Sequence, residues 1–328
     1  MKFTKTLFAI FIFIGVFIVA GSAGECHAKE YRYINIATAS MGGTFYPLGG
    51  GMADVLSKNL KELLGYRVSA SIQATGGSAE NIRLVHRGRA ELALANGSSA
   101  YEGYHGVGVY EKTGKQDVAA IFAIYPSPVQ LATLDSTKDI QGIMDIKGKK
   151  IAVGPPGSGT ENDVRNIIDA LNIDYDDFDQ AFLSFGEMSM SLRDNVIDAA
   201  FHTAGLPVAS LVDLSTTRKI RLIEFKKQEL EKIFDSFPYY FEFEIPADTY
   251  RGVSTPIRTI QTPVVLICHP EMPEDVVYKI TKTLYENRKR LVEVHSSAKW
   301  IQKDFMSNSP IPFHPGAEKY LKEIGVLE

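Results

Sequence analysis

Gly42, Gly43 and Thr44 follow a short apolar run at residues 33–37, and Gly157, Ser158, Gly159 and Thr160 follow another at residues 150–153. Both stretches read as a strand, a glycine-rich turn ending in threonine, and then a helix. A turn of this kind delivers free backbone N–H groups and a hydroxyl to a helix N-terminus, where partial positive charge gathers without any Lys or Arg. Two such ends facing each other would clamp a small anion. The run from Gly154 to Thr160 comes close to a nucleotide-binding loop, but the Lys that should precede Thr160 is missing, so nothing neutralises terminal phosphates. A less charged ligand, such as a carboxylate, suits what is left.

Other residues could complete such a pocket. Phe45 and Tyr46 follow the first turn and either pack in the core or cover the aliphatic stem of a ligand held by Thr44. The runs at 91–96 and 198–203 are two further short apolar strands, each entered by an acid. They close on Asn96 and Thr203, at the carboxyl ends where open α/β sheets hold ligands. Asn96 either satisfies a neighbouring loop or binds, and His202 either lines the site or packs. Ser78, after Gly76 and Gly77, reads as the N-cap of a third helix, with Asn81 three residues on.

Catalytic chemistry has little support. Cys268 sits in the middle of an apolar run, where a buried inert thiol is expected. The histidines show no HExxH or paired spacing, which argues against a metal site, and Ser158 lacks the G-x-S-x-G elbow of a serine nucleophile. No enzyme, cofactor or metal is expected.

The elements that must position these residues repeat with them. Leu48, Met52, Val55, Leu56 and Leu60 recur at helical spacing after the first turn, and Val164, Ile167, Ile168 and Leu171 do so after the second. Strands are expected at 66–73, 118–134, 181–185, 218–225 and 259–269, and helices at 207–214, 273–294 and 316–324. The pattern predicts two α/β domains of similar plan with one site between them. Residues 29–132 and 256–328 form the first and 133–255 the second, so the chain crosses twice and makes a hinge of the kind that clamshell binding proteins close.

Hydrophobic residues at 45% and charged ones at 23%, with a net charge of −4, describe a soluble globular chain with no basic surplus for nucleic acid. Lys2 and Lys5 precede an apolar run of about 14 residues, short of the roughly 20 needed to span a bilayer, so residues 1–28 read as a secretory signal cleaved near Ala28. Cleavage there removes Cys26 and leaves Cys268 as the only cysteine.

In order along the chain, Gly42-Gly43-Thr44-Phe45-Tyr46-Pro47-Leu48-Gly49, Thr75-Gly76-Gly77-Ser78, Gly157-Ser158-Gly159-Thr160, Ala204-Gly205-x-Pro207, Met272-Pro273-Glu274-Asp275 and His314-Pro315-Gly316-Ala317 closely resemble one family. That family is the TAXI solute receptors of tripartite ATP-independent periplasmic (TRAP) transporters. The resemblance implies a type II periplasmic-binding clamshell in the periplasm. It further implies a small carboxylate or amino-acid ligand, such as glutamate or 2-oxoglutarate, and delivery to sodium-coupled TRAP membrane permease subunits. The contacts it implies are Gly43, Thr44, Phe45, Tyr46, Ser78, Asn96, Ser158, Gly159, Thr160 and Thr203. Phe45 stands where the family usually has Tyr and removes a hydroxyl. A ligand-sensing subunit of a membrane signalling protein, or a secreted enzyme, are the alternatives.

Overall fold

The computed structural model describes residues 32–328; the expected signal at residues 1–28, with its cleavage position at Ala28, lies outside them. Among the described residues ten strands join in one mixed sheet. Three parallel strands open it in the order β2 (Ser69–Gln73), β1 (Tyr33–Ala37), β3 (Leu92–Asn96). Three more close it in the order β7 (Ala199–Thr203), β5 (Lys150–Ala152), β6 (Asp179–Ala181). In both groups the strand that comes first in the chain lies in the middle, so the repeat read from the two glycine-rich turns is a repeat of topology.

Two long strands join the groups. β4 (Ala119–Leu134) pairs antiparallel with β7 at one end, and β10 (Ile257–Cys268) pairs antiparallel with β3. They also pair with each other, Gln261 opposite Pro128 through to Cys268 opposite Ala119. All sixteen residues of β4 are buried. Pro126 and Pro128 lie in the β10 ladder, opposite Pro263 and Gln261, but ahead of the pairing with β7, which begins at Val129 and loses nothing to their missing N–H groups. β8 (Ile220–Ile223) adds to β4, and β9 (Phe241–Ile245) to β10.

Helices follow the strands. α1 (Phe45–Leu64) begins after β1 and buries Leu48, Met52, Leu56 and Leu60 completely, the stripe its spacing predicts. Gly65 ends it in the left-handed region at φ 77°, where only glycine avoids a Cβ penalty. α2 (Ser78–His86) follows β2, α3 (Gly97–His105) follows β3, and α4 (Gly159–Ala170) follows β5. α5 (Phe185–Arg193), α6 (Ala209–Thr217) and α7 (Lys227–Ser236) complete the second group, and α8 (Glu274–Glu286), α9 (Arg288–Val294), α10 (Lys303–Met306) and α11 (Pro315–Glu323) return to the first. Separate apolar clusters form around the two groups, one centred on α1, α8 and β10 and another on α4, β5 and β7.

Three expectations need correction. The strand expected at 181–185 ends at Ala181, because Ser184 and Glu187 close a capping box that starts α5 at Phe185. The helix expected at 273–294 is two helices parted at Asn287. Ser78 is not an N-cap: Gly77 holds that place at φ 124°, and Ser78 is the first helical residue.

Candidate functional site

Five helix N-termini, those of α1, α2, α3, α4 and α5, converge on one small pocket. Its wall takes Gly43, Thr44 and Phe45 from the start of α1, Gly77 and Ser78 from α2, Ser158, Gly159 and Thr160 from α4, and Phe185 from α5, with Asn96 and Thr203 from the ends of β3 and β7. Ala39, Ser40, Gly76, Pro155 and Ala204 complete it, and the enclosed space is about 50 Å³. None of these side chains carries a charge. The first turns of α2, α4 and α5 hold Glu80, Glu161 and Glu187, which partly answer the helix dipoles, whereas the first turn of α1 has no acid. The first turn of α3, whose N-cap is Asn96, has none either, so the dipoles of α1 and α3 are the least compensated of the five.

The two strand groups touch closely here. The Ala79 N–H donates to Gly157 O at 3.1 Å, and the Thr44 hydroxyl donates to Gly205 O at 3.3 Å. A Cβ at Gly159 would lie 2.4 Å from Asn96 Nδ2 and 2.7 Å from Ser78 Oγ, so only glycine permits this approach. The second glycine-rich turn is tightened by the α4 cap, in which Ser158 Oγ accepts the Glu161 N–H at 3.1 Å. Gly154, at φ 99°, leaves room for that hydroxyl, which a Cβ there would approach to 2.6 Å. Gly159 and Thr160 open α4, so their N–H groups have no acceptor within the helix. Thr160 Oγ1 accepts the Thr203 N–H at 3.2 Å, and Ser78 Oγ accepts the Asn96 N–H at 3.0 Å.

The structure thus gathers Gly43, Thr44, Phe45, Ser78, Asn96, Ser158, Gly159, Thr160 and Thr203 on one wall, and leaves out Tyr46. Tyr46 is the second residue of α1, turned from the pocket that Phe45 faces. Sequence reading missed Phe185, which lies inside a stretch that reads as strand; the Ser184 and Glu187 cap spacing was the signal that could have marked it. Its ring meets Gly43 across the gap, within 3.5 Å of where a Cβ would stand, and tilts against His202 at 4.8 Å. His202 lies behind it, fully buried, and burial lowers its pKa to about 4, so the ring is neutral at pH 7. Cys268 is buried, and burial raises its thiol pKa.

Behind the pocket, α3 and α4 meet through two buried carboxylates. Glu102 Oε1 accepts from Asn166 Nδ2 at 2.8 Å, Tyr239 OH at 2.9 Å and Asn162 Nδ2 at 3.0 Å. Asp163 Oδ1 accepts from Ser98 OH at 2.6 Å and Tyr240 OH at 2.7 Å, while Asp163 Oδ2 faces Asn96 Nδ2 at 3.4 Å. Burial raises both carboxyl pKa values against these donors, Asp163 to about 6. Arg83 and Arg165 do not reach the pocket and line a separate open groove beside Glu102. Tyr239 and Tyr240, at the start of the aromatic run at residues 239–243, are buried in this network. Among the described residues no cluster of His, Cys, Asp and Glu could hold a metal.

Comparison with known proteins places this arrangement. The profile of the NMT1-like family matches residues 36–325. The chain belongs to that family. Among solved structures this NMT1-like chain is similar to a protein of Bordetella bronchiseptica RB50, with 17% identity, 90% of each chain covered and a TM-score of 0.53. A protein described as an L-cystine ABC transporter from Listeria monocytogenes is 14% identical, covers 85% of this chain and 99% of its own, and gives 0.50. A Xanthomonas citri protein solved bound to ATP is 11% identical, with 90% and 97% covered and 0.51. At these identities the likeness is one of fold, the α/β type II periplasmic-binding fold expected from the sequence.

Proposed function

We propose that this NMT1-like protein is an extracytoplasmic solute receptor that captures a small carboxylate or amino acid between its two strand groups and hands it to a membrane permease. The observation that carries the reading is the convergence of five helix N-termini on a pocket with no charged side chain. A carboxylate bridging α1 and α4 would gain charge-assisted hydrogen bonds, each contributing about 1.5–3 kcal/mol. Three or four of them offset ordering costs and leave micromolar affinity, roughly −8 kcal/mol. ATP is disfavoured, since its phosphates would find no cation in the wall.

Capture proceeds by closure of two lobes, residues 29–132 with 256–328 and residues 133–255, about β4 and β10, which both run between the groups. The TAXI resemblance supports a TRAP permease as the partner, and the apolar start of the chain supports export with cleavage near Ala28. Binding without catalysis fits the wall: the Thr44, Ser78, Ser158 and Thr160 hydroxyls serve backbone groups, and the neutral His202 stands behind Phe185.

A thermal-shift screen of the mature protein, refolded free of ligand, against amino acids, dicarboxylates, oxo acids and ATP tests the reading. A shift with carboxylates and none with ATP supports it. No shift with any acid, or a shift with ATP alone, contradicts it.

A further inference from the structure

Charge is unevenly spread toward the end of the chain. Between residues 288 and 303 five Lys and Arg stand against one acid, Glu293, in a chain whose net charge is −4. Arg288, Lys289, Lys299 and Lys303 line one open groove of about 570 Å³ bordered by α8, α9 and α10, and Asp304 is the one acid in its wall. Arg290 is paired with Glu293 at 2.5 Å, and the Arg288 guanidinium lies over the Tyr285 ring, 4.3 Å from its centre. Among the described residues no carboxylate pairs with Lys289, Lys299 or Lys303. Apolar side chains are exposed among these cations. Val292 lines the groove and is 39% exposed, and Trp300, between Lys299 and Ile301 in the chain, is 38% exposed, its ring tilted against Phe305 at 5.5 Å.

We infer that this face docks on an anionic phospholipid surface. A free phosphate or an acidic peptide answers the lysines alone. A lipid interface answers the lysines with its headgroups and takes Trp300 and Val292 at its apolar boundary, with the lysine stems lying along it. The face belongs wholly to elements packed on the first strand group. Beside it Ser297 Oγ donates to Leu206 O at 3.2 Å, two residues after Ala204 of the pocket wall. Docking here holds the first strand group at the membrane, with the pocket close by, and leaves the second group free to move. It is independent of which solute the pocket takes.

Flotation of the mature protein with vesicles tests this, using phosphatidylcholine alone and phosphatidylcholine with about 30% phosphatidylglycerol. Trp300 is the only tryptophan in the chain, so its emission reports on the face directly. The protein should float with the anionic vesicles alone, with a blue-shifted emission that brominated lipid quenches. Raising salt from about 50 to about 300 mM should weaken binding at least about tenfold. Replacing Lys289, Lys299 and Lys303 together by Gln should also weaken it at least about tenfold. The same change at Lys58, Lys227 and Lys322, exposed lysines elsewhere, removes equal charge and should weaken it less than about threefold. All six lysines are exposed, so both variants should fold as wild type does. No binding to anionic vesicles, equal binding to both vesicle types, equal loss in the two variants or unchanged emission in the bound protein overturns the inference. Binding of soluble polyglutamate at this face in place of vesicles overturns it in favour of an acidic protein partner.

Discussion

Thr160 shows how little freedom a pocket hydroxyl has. Its oxygen accepts the Thr203 N–H, which orients the hydroxyl and leaves its hydrogen to donate to a ligand carboxylate. Thr160→Val, nearly isosteric, strips a buried N–H of its acceptor and should lower stability by about 1–2 kcal/mol as well as weaken ligand binding at least tenfold. Thr160→Ser keeps the acceptor and should recover most of both; denaturant melts and titrations of the two variants check this, and a fully stable Val variant would contradict it. Gly159 is constrained differently. In Gly159→Ala the new methyl meets Asn96 Nδ2 at 2.4 Å and Ser78 Oγ at 2.7 Å, groups on the opposite strand group. The variant should fold, with a melting temperature within a few degrees of wild type, but bind its ligand at least tenfold more weakly because the two groups cannot approach. Wild-type affinity would mean that the observed approach is not the binding arrangement.

At the scale of elements, α3 and α4 are joined by Glu102, Asp163 and their donors, a contact that sets a pH dependence. Burial raises Asp163 from its ordinary 3.8 to about 6, so the folded state binds this proton more tightly than the unfolded chain. Its contribution is therefore complete below about pH 4 and is lost as pH rises through 6, on the order of 2–3 kcal/mol. Glu102 acts in the same direction. His202 acts oppositely: its pKa falls from 6.5 to about 4 on folding, so it costs stability as pH drops below 6.5. The carboxyls and His202 thus oppose each other between pH 7 and pH 5, with His295 and His314, whose pKa values burial also lowers, on the side of His202. Asp163→Asn removes the compensation and should lose stability over that interval, by about 1–2 kcal/mol. Parallel pH profiles for the two proteins would contradict the assignment.

Across the whole molecule, what was legible in the sequence is what local chemistry enforces. The Gly-Thr turns, the helical spacing of Leu48 to Leu60 and the polar ends of two apolar strands each specify their structure within a few residues, and together they located most of the pocket. What was not legible depends on distant partners. Glu102 and Asp163 look like ordinary helix-surface acids until the fold brings Tyr239 and Tyr240 onto them, with 137 and 77 residues between donor and acceptor. Phe185 was hidden by apolar neighbours that read as strand, although Ser184 and Glu187 formed a cap signature that could have revealed the start of α5. Tyr46 shows what adjacency hides, since the residue next to Phe45 in a helix lies on another face and does not line this pocket.

The most direct test of the account is a crystal structure of the mature protein with its tightest-binding acid. The ligand carboxylate should lie between the N–H groups at the starts of α1 and α4, within hydrogen-bond distance of Thr44 or Phe45 on one side and Gly159 or Thr160 on the other. A ligand held instead in the open groove by Arg83 and Arg165, with the space between those helix ends empty, would contradict it.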